Sequence, residues 1–148
     1  MDPFLEYCIT HASSLNEIKI YYEQHNQNIN TQFAFLECCD RGYLNIVQWL
    51  YSLENINIHA LDEYSFRWSC LHGHLDVAKW LYSLGVNIHV YNDFSFRGSC
   101  RRGHLHVAQW LSSICDDYEL YVVNNQINYD LNKKLWFKNF KMFLFIFQ

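Results

Sequence analysis

The segment Ser65 to Leu81 reads SFRWSCLHGHLDVAKWL, and Ser95 to Leu111 reads SFRGSCRRGHLHVAQWL. A chain that writes one phrase twice at a fixed spacing is built from a recurring unit, and a small unit that cannot cover its own apolar face must stack on its neighbours. Aligning Tyr64–Leu84 with Phe94–Ile114 leaves 13 of 21 positions identical, so the recurrence is not chance. Gly42, Gly73 and Gly103 are separated by 31 and then 30 residues, as are Leu44, Leu75 and Leu105, and Trp49, Trp80 and Trp110. FAFLECCDRGYLNIVQWLYSL is therefore a third copy. A fainter fourth lies upstream, where Leu15, Ile18, Tyr21 and the NIN of Asn28–Asn30 fall 29 residues before Leu44, Val47, Leu50 and the NIH of Asn57–His59. It has lost the glycine, as a worn terminal copy with one face in water can.

Inside each copy, Phe66, Ser69 and Cys70 stand at i, i+3 and i+4, and Leu75, Val77, Ala78 and Leu81 give a second apolar stripe at near-helical spacing. The spacing predicts two short helices per unit. The periodic glycine predicts a left-handed residue that closes the first helix and turns the chain back. Small residues at Cys38–Cys39, Ser69–Cys70 and Ser99–Cys100 let neighbouring first helices approach, while Leu, Val and Trp of the second helix fill the layer between units. The Trp49, Trp80 and Trp110 series reads as packing between second helices. The connectors NINIHALDEYSF and GVNIHVYNDFSF read as extended segments with a polar turn at the tip. The expected fold is all-α, with units at about 4–32, 33–63, 64–93 and 94–120 and a degenerate C-terminal capping segment over 121–148.

With 148 residues, 51% of them hydrophobic and 18% charged, the chain can bury a core of about one domain. A formal net charge of −4 argues against nucleic acid as a partner, which calls for a concentrated Lys/Arg surface. The start MDPFLEYCIT is acidic where a secretory signal would be basic, so the six cysteines are expected as thiols in a reducing compartment, by default the cytoplasm.

The stretch SCLHGHLDVAKWLYSLGVNI, Ser69 to Ile88, resembles the ankyrin repeat, whose second half runs from two small residues through G-H-L-x-V-V to G-A-x-V-N. The likeness is strong over Phe33 to Asp117 and weak over Leu15 to Asn30. It departs from the family where T-P-L-H is replaced by Tyr64-Ser65-Phe66-Arg67 and Phe94-Ser95-Phe96-Arg97, and in a period shorter than the usual one. Both departures are similar to the divergent ankyrin proteins of giant amoebal viruses of the mimivirus type. The resemblance implies an ankyrin-repeat solenoid of stacked helix-turn-helix units. It also implies a non-catalytic scaffold for a protein partner, in a host cell if the protein is viral, with no cofactor.

Carried over by position, the resemblance puts the residues before each glycine on a concave face: Asp40 and Arg41, Leu71 and His72, Arg101 and Arg102. Connector residues Asp62, Glu63, Tyr91, Asn92 and Asp93 complete the candidate partner-binding surface. Arg97, Arg101 and Arg102 could receive an acidic partner or a phosphate, but Asp93, Asp116 and Asp117 lie near in sequence, and the cluster reads first as a solvated face laced with salt bridges. Metal binding is not indicated, because there is no C-x-x-C pair and the cysteines recur at the repeat period as small core residues. A nucleophile beside a base and a Gly-rich phosphate loop are also missing from the pattern, so no enzyme activity is expected.

The tail YELYVVNNQINYDLNKKLWFKNFKMFLFIFQ leaves three readings open. Leu135, Phe137 and Phe140 match Leu105, Val107 and Trp110 at a spacing of 30, which suits a worn helix pair capping the array. The lysines beside an aromatic end also suit a membrane-surface segment, too short to span a bilayer. A disordered or recently acquired end is the third.

Overall fold

The computed structural model of the protein describes residues 2–25, 29–53, 55–123 and 126–130. Among these the chain forms eight helices: α1 (Pro3–Thr10), α2 (Leu15–His25), α3 (Thr31–Arg41), α4 (Leu44–Ser52), α5 (Ala60–Leu71), α6 (Leu75–Ser83), α7 (Val90–Arg102) and α8 (Leu105–Ile114). An antiparallel hairpin of β1 (Glu119–Val123) and β2 (Gln126–Asp130) follows. The class is all-α apart from that hairpin. Consecutive helices pack as pairs, and the first helices α1, α3, α5 and α7 lie side by side in chain order, with α4 beside α6 behind them.

Each pair forms for the reasons its sequence gives. Phe66, Ser69 and Cys70 on α5 and Ala78 and Leu81 on α6 are fully buried, and Val77 nearly so. The turn between them is made by Gly73 at φ +82, repeated by Gly42 at +78 and Gly103 at +77. In that left-handed state the N–H of His74 bonds back to the Ser69 carbonyl at 2.8 Å and that of Gly73 to Cys70 at 3.3 Å, capping the helix end. The small residues work as expected: the Ser69 hydroxyl, buried between α5 and α3, lies 2.6 Å from the Ser65 carbonyl and 3.1 Å from that of Cys39.

The tryptophans tie each layer to the one before. Trp49, Trp80 and Trp110 meet Tyr22, Tyr51 and Tyr82 edge-on at centroid distances of 5.4, 5.4 and 5.7 Å. Each also meets the buried phenylalanine of the preceding first helix, Phe4, Phe35 and Phe66, at 6.4, 6.4 and 6.3 Å. Such edge-to-face pairs add to the area they bury. The recurrence of one geometry at three interfaces makes the stack regular.

The connectors differ from the expectation. Instead of an extended hairpin with a polar tip, Leu61, Asp62 and Glu63 take left-handed angles (φ 53, 53 and 60), and Tyr91, Asn92 and Asp93 do the same (φ 51, 54 and 58). Three successive non-glycine residues in this region make one turn of left-handed helix, each residue costing roughly 1–3 kcal/mol unless its surroundings compensate. They do. Arg67 donates from Nε to the Asp62 carbonyl at 2.8 Å and from Nη2 to Leu61 at 2.9 Å, and Arg97 repeats this on Asn92 and Tyr91 at 2.7 and 3.0 Å. The planar fork of a guanidinium suits two adjacent carbonyls, which explains the arginine in each copy of S-F-R.

The C-terminal end of the stack is closed by Tyr118, which is buried and stacks on Phe96 at 4.2 Å and 10°. The segment after it begins as a β-hairpin against α7 and α8. The reason is local: ELYVV and QINYD are rich in β-branched and aromatic residues. The cap and membrane-surface readings of Leu135, Phe137, Phe140 and the lysines lie outside the described residues. Among the described residues, no helix is long and apolar enough to cross a membrane.

Candidate functional site

The C-terminal ends of α3, α5 and α7 lie side by side, and they bring the expected residues of three units together. Asp40 and His72 meet across units, with Nδ1 of His72 2.5 Å from Oδ1 of Asp40. Arg41 is exposed and 3.9 Å from Glu37 on its own helix. Leu71 needs correcting as a surface residue: it is 8% exposed. Position 71 falls next to the buried Cys70 on α5, where the leucine leans against Gly98 of α7, while Asp40 at the matching position of α3 bonds to His72 and Arg101 on α7 is exposed.

The left-handed turns sort the other expected residues. Asp62 and Tyr91 are exposed, and the Tyr91 hydroxyl donates to Oδ2 of Asp62 at 2.7 Å. The Tyr91 ring lies over the Arg67 guanidinium at 4.6 Å, and the Asn92 carbonyl is held by Arg97. Glu63 is the second correction, being only 6% exposed. Its Oε1 accepts from Nδ1 of His59 at 2.7 Å and from the Asn87 N–H of the next connector at 3.1 Å. Gln32 performs the same task one unit earlier, its Oε1 accepting from the Asn57 N–H at 2.7 Å. Asp93, half-buried, does so one unit later, accepting from His89 at 2.6 Å and from the Tyr118 hydroxyl at 2.5 Å. This row of side chains pins each connector to the next, so Glu63 and Asp93 act in the stack.

His74 shows how tightly the units register. Its Nε2 donates to the Asp40 carbonyl of the preceding unit at 2.9 Å, which leaves Nδ1 unprotonated and facing Gly42. Burial holds its pKa below the ordinary histidine value, with the neighbouring His72 adding to the effect and the Asp40 carbonyl opposing it. His104 sits against Gly73 in the same way, with its pKa also lowered by burial. The unfolded chain therefore binds protons that the folded one resists. Stability is full above the ordinary histidine pKa of 6.5 and falls as the pH drops through it, levelling out below the folded value. Urea midpoints should be lower at pH 5.5 than at pH 7.5. His74→Gln, which keeps a donor for the Asp40 carbonyl, should have a shallower slope, and an unchanged slope would remove His74 as the cause.

The basic cluster lacks the salt bridges expected of it. Asp93 is committed to His89 and Tyr118. Among the described residues, Arg101 and Arg102 make no ion pair and no hydrogen bond, and both are exposed. Sequence reasoning passed over two other residues on this face. Trp68 packs between Tyr64 at 5.5 Å and His72 at 5.4 Å, its ring tilted against both, whereas its counterpart one repeat later is Gly98. The signal was present, since W and G are a conspicuous mismatch in an otherwise shared S-F-R-x-S-C phrase.

Burial pushes the Cys70 thiol up, with the Ser95 hydroxyl opposing, and Cys100 is pushed up to about 11. These are protonated packing groups rather than nucleophiles. Among the described residues, no three His, Cys, Asp or Glu side chains are placed to hold a metal ion. Compared with known proteins, the chain matches no family model, no curated protein and no solved structure.

Proposed function

We propose that this chain is an ankyrin-type repeat solenoid that works as a non-catalytic binding module, holding a protein partner along the face made by the ends of α3, α5 and α7. One observation carries the reading. Core positions recur from unit to unit, as Phe35, Phe66 and Phe96, Ile46, Val77 and Val107, or Leu50, Leu81 and Leu111 do. The positions toward the ends of the first helices vary instead: Glu37, Trp68 and Gly98; Asp40, Leu71 and Arg101; Arg41, His72 and Arg102. A stack maintained for its own sake has no need of such contrast, whereas a recognition surface is built from it. The resemblance of the repeated phrase to viral ankyrin proteins extends the proposal to a partner in host cytoplasm.

The test is affinity capture from amoebal cytosol, run beside a variant carrying Arg41→Ala, His72→Ala, Arg101→Ala and Arg102→Ala whose helicity is first shown to be unchanged. A protein held by the parent and released by the variant supports the module. The same proteins from both, or none from either, counts against it.

A further inference from the structure

We propose that the pocket between α5 and α7 is an anchor site for an acidic peptide segment of the partner: one apolar or aromatic side chain enters where Gly98 leaves space, and flanking carboxylates meet Arg101 and Arg102. The inference rests on the binding-module reading and names the chemistry of its partner.

The pocket arises from a single difference between repeats. On α5 the column Tyr64, Trp68 and His72 is filled by rings packed at a tilt against one another. On α7 the corresponding positions are Phe94, Gly98 and Arg102, so an indole is missing from the middle of the column. What remains is a cavity of about 330 Å³ lined by Leu71, Phe94, Arg97, Gly98, Arg101 and Arg102. That is near the lower end of the roughly 300–1,000 Å³ typical of ligand pockets. Leu71 and Phe94 supply apolar walls, and a Cβ built on Gly98 would lie 2.9 Å from Cδ1 of Leu71 and 3.8 Å from Cε1 of Phe94. Leu71 thus leans over Gly98, and its side chain must shift to admit an anchor there.

Its rim carries charge of one sign. Arg97 is fixed by its two carbonyl partners, and Arg101 and Arg102 have no partner among the described residues. No carboxylate lines the cavity. The acidic residues on this face belong to the other end of the row, at Glu37 and Asp40, where they face Arg41 and His72. Two guanidinium forks unpaired among the described residues, beside apolar walls, select carboxylates next to an apolar anchor, because that combination fills the cavity and gives the forks bidentate acceptors. The arginines would also steer an acidic segment toward the C-terminal end of the row.

The experiment is selection of a displayed library of random peptides of about a dozen residues against the intact chain. Enriched peptides are then titrated against Gly98→Trp and against the double variant Arg101→Glu, Arg102→Glu. Gly98→Trp restores the residue found one repeat earlier, and the one contact its Cβ makes under 3 Å is with Cδ1 at the end of the Leu71 side chain. The double variant changes exposed side chains alone and serves if Gly98→Trp fails to fold. The expected result is peptides with an aromatic or branched aliphatic residue flanked by Asp or Glu, weakened about tenfold or more by each variant. Peptides without acidic bias, or bound equally by both variants, overturn the anchor site while leaving the binding module standing. A selection that enriches nothing overturns both. Tighter binding of phenyl phosphate or single-stranded RNA than of the acidic peptides would assign the arginines to phosphate and overturn the proposal.

Discussion

Gly42→Ala should destabilise the stack by about 3 kcal/mol or more, far beyond the cost of the same change at Gly103. Both glycines are left-handed, at φ +78 and +77, so the backbone penalty of about 1 kcal/mol is common to them. Their surroundings differ. An alanine Cβ at position 42 would lie 2.4 Å from Nδ1, 2.7 Å from Cγ and 2.9 Å from Cε1 of His74, whereas at position 103 nothing among the described residues lies within 4 Å. The imidazole can move aside only by giving up its hydrogen bond to the Asp40 carbonyl and disturbing the packing around it, which adds roughly 2–3 kcal/mol. Denaturant unfolding of the two variants measures the difference directly. Adding His74→Ala to Gly42→Ala should recover part of the loss in a double-mutant cycle. Equal costs at positions 42 and 103 would show that the histidine is not a wedge between units.

Phe66→Ala should cost about 3–5 kcal/mol, the range for emptying a fully buried aromatic site. Phe66 is fully buried in the third helix pair, with Trp110 of the next unit 6.3 Å from its ring. The site cannot collapse, because the wall toward α3 is held by the Ser69 bond to Cys39 and the wall toward α7 by the pinned connector. In a stack whose units touch only their neighbours, weakening one interface also uncouples the units on either side. Unfolding followed by circular dichroism should therefore broaden as well as shift. Ile20→Ala, at a side chain 54% exposed, should stay within about 0.5 kcal/mol. Similar losses at the two positions would contradict the stacked core.

Much of the fold was legible before any coordinates. The glycines at 42, 73 and 103 announced left-handed helix ends, since L residues avoid that conformation and nothing else in the phrase allows a tight reversal. The Phe-x-x-Ser-Cys and Leu-x-Val-Ala-x-x-Leu stripes announced two helices with one buried face each. The candidate surface was legible only by position. Arg41, Arg101 and Arg102 are exposed, yet Leu71, chosen like them from the residues before the glycine, and Glu63, chosen from the connector, are buried.

Periodicity and turn chemistry thus determined the helix pairs, their order and the side each turns inward, because those properties depend on residues three to four apart in the chain. Only the tertiary structure decided the left-handed turns at 61–63 and 91–93, which contain neither glycine nor proline and exist because Arg67 and Arg97 hold their carbonyls. It also decided the burial of Glu63, which answers an N–H 24 residues away. The Tyr118 cap on Phe96 and the cavity beside Gly98 are of the same kind. Each is set by what the neighbouring unit presents, and a pattern read along one chain segment carries no record of the surface stacked against it.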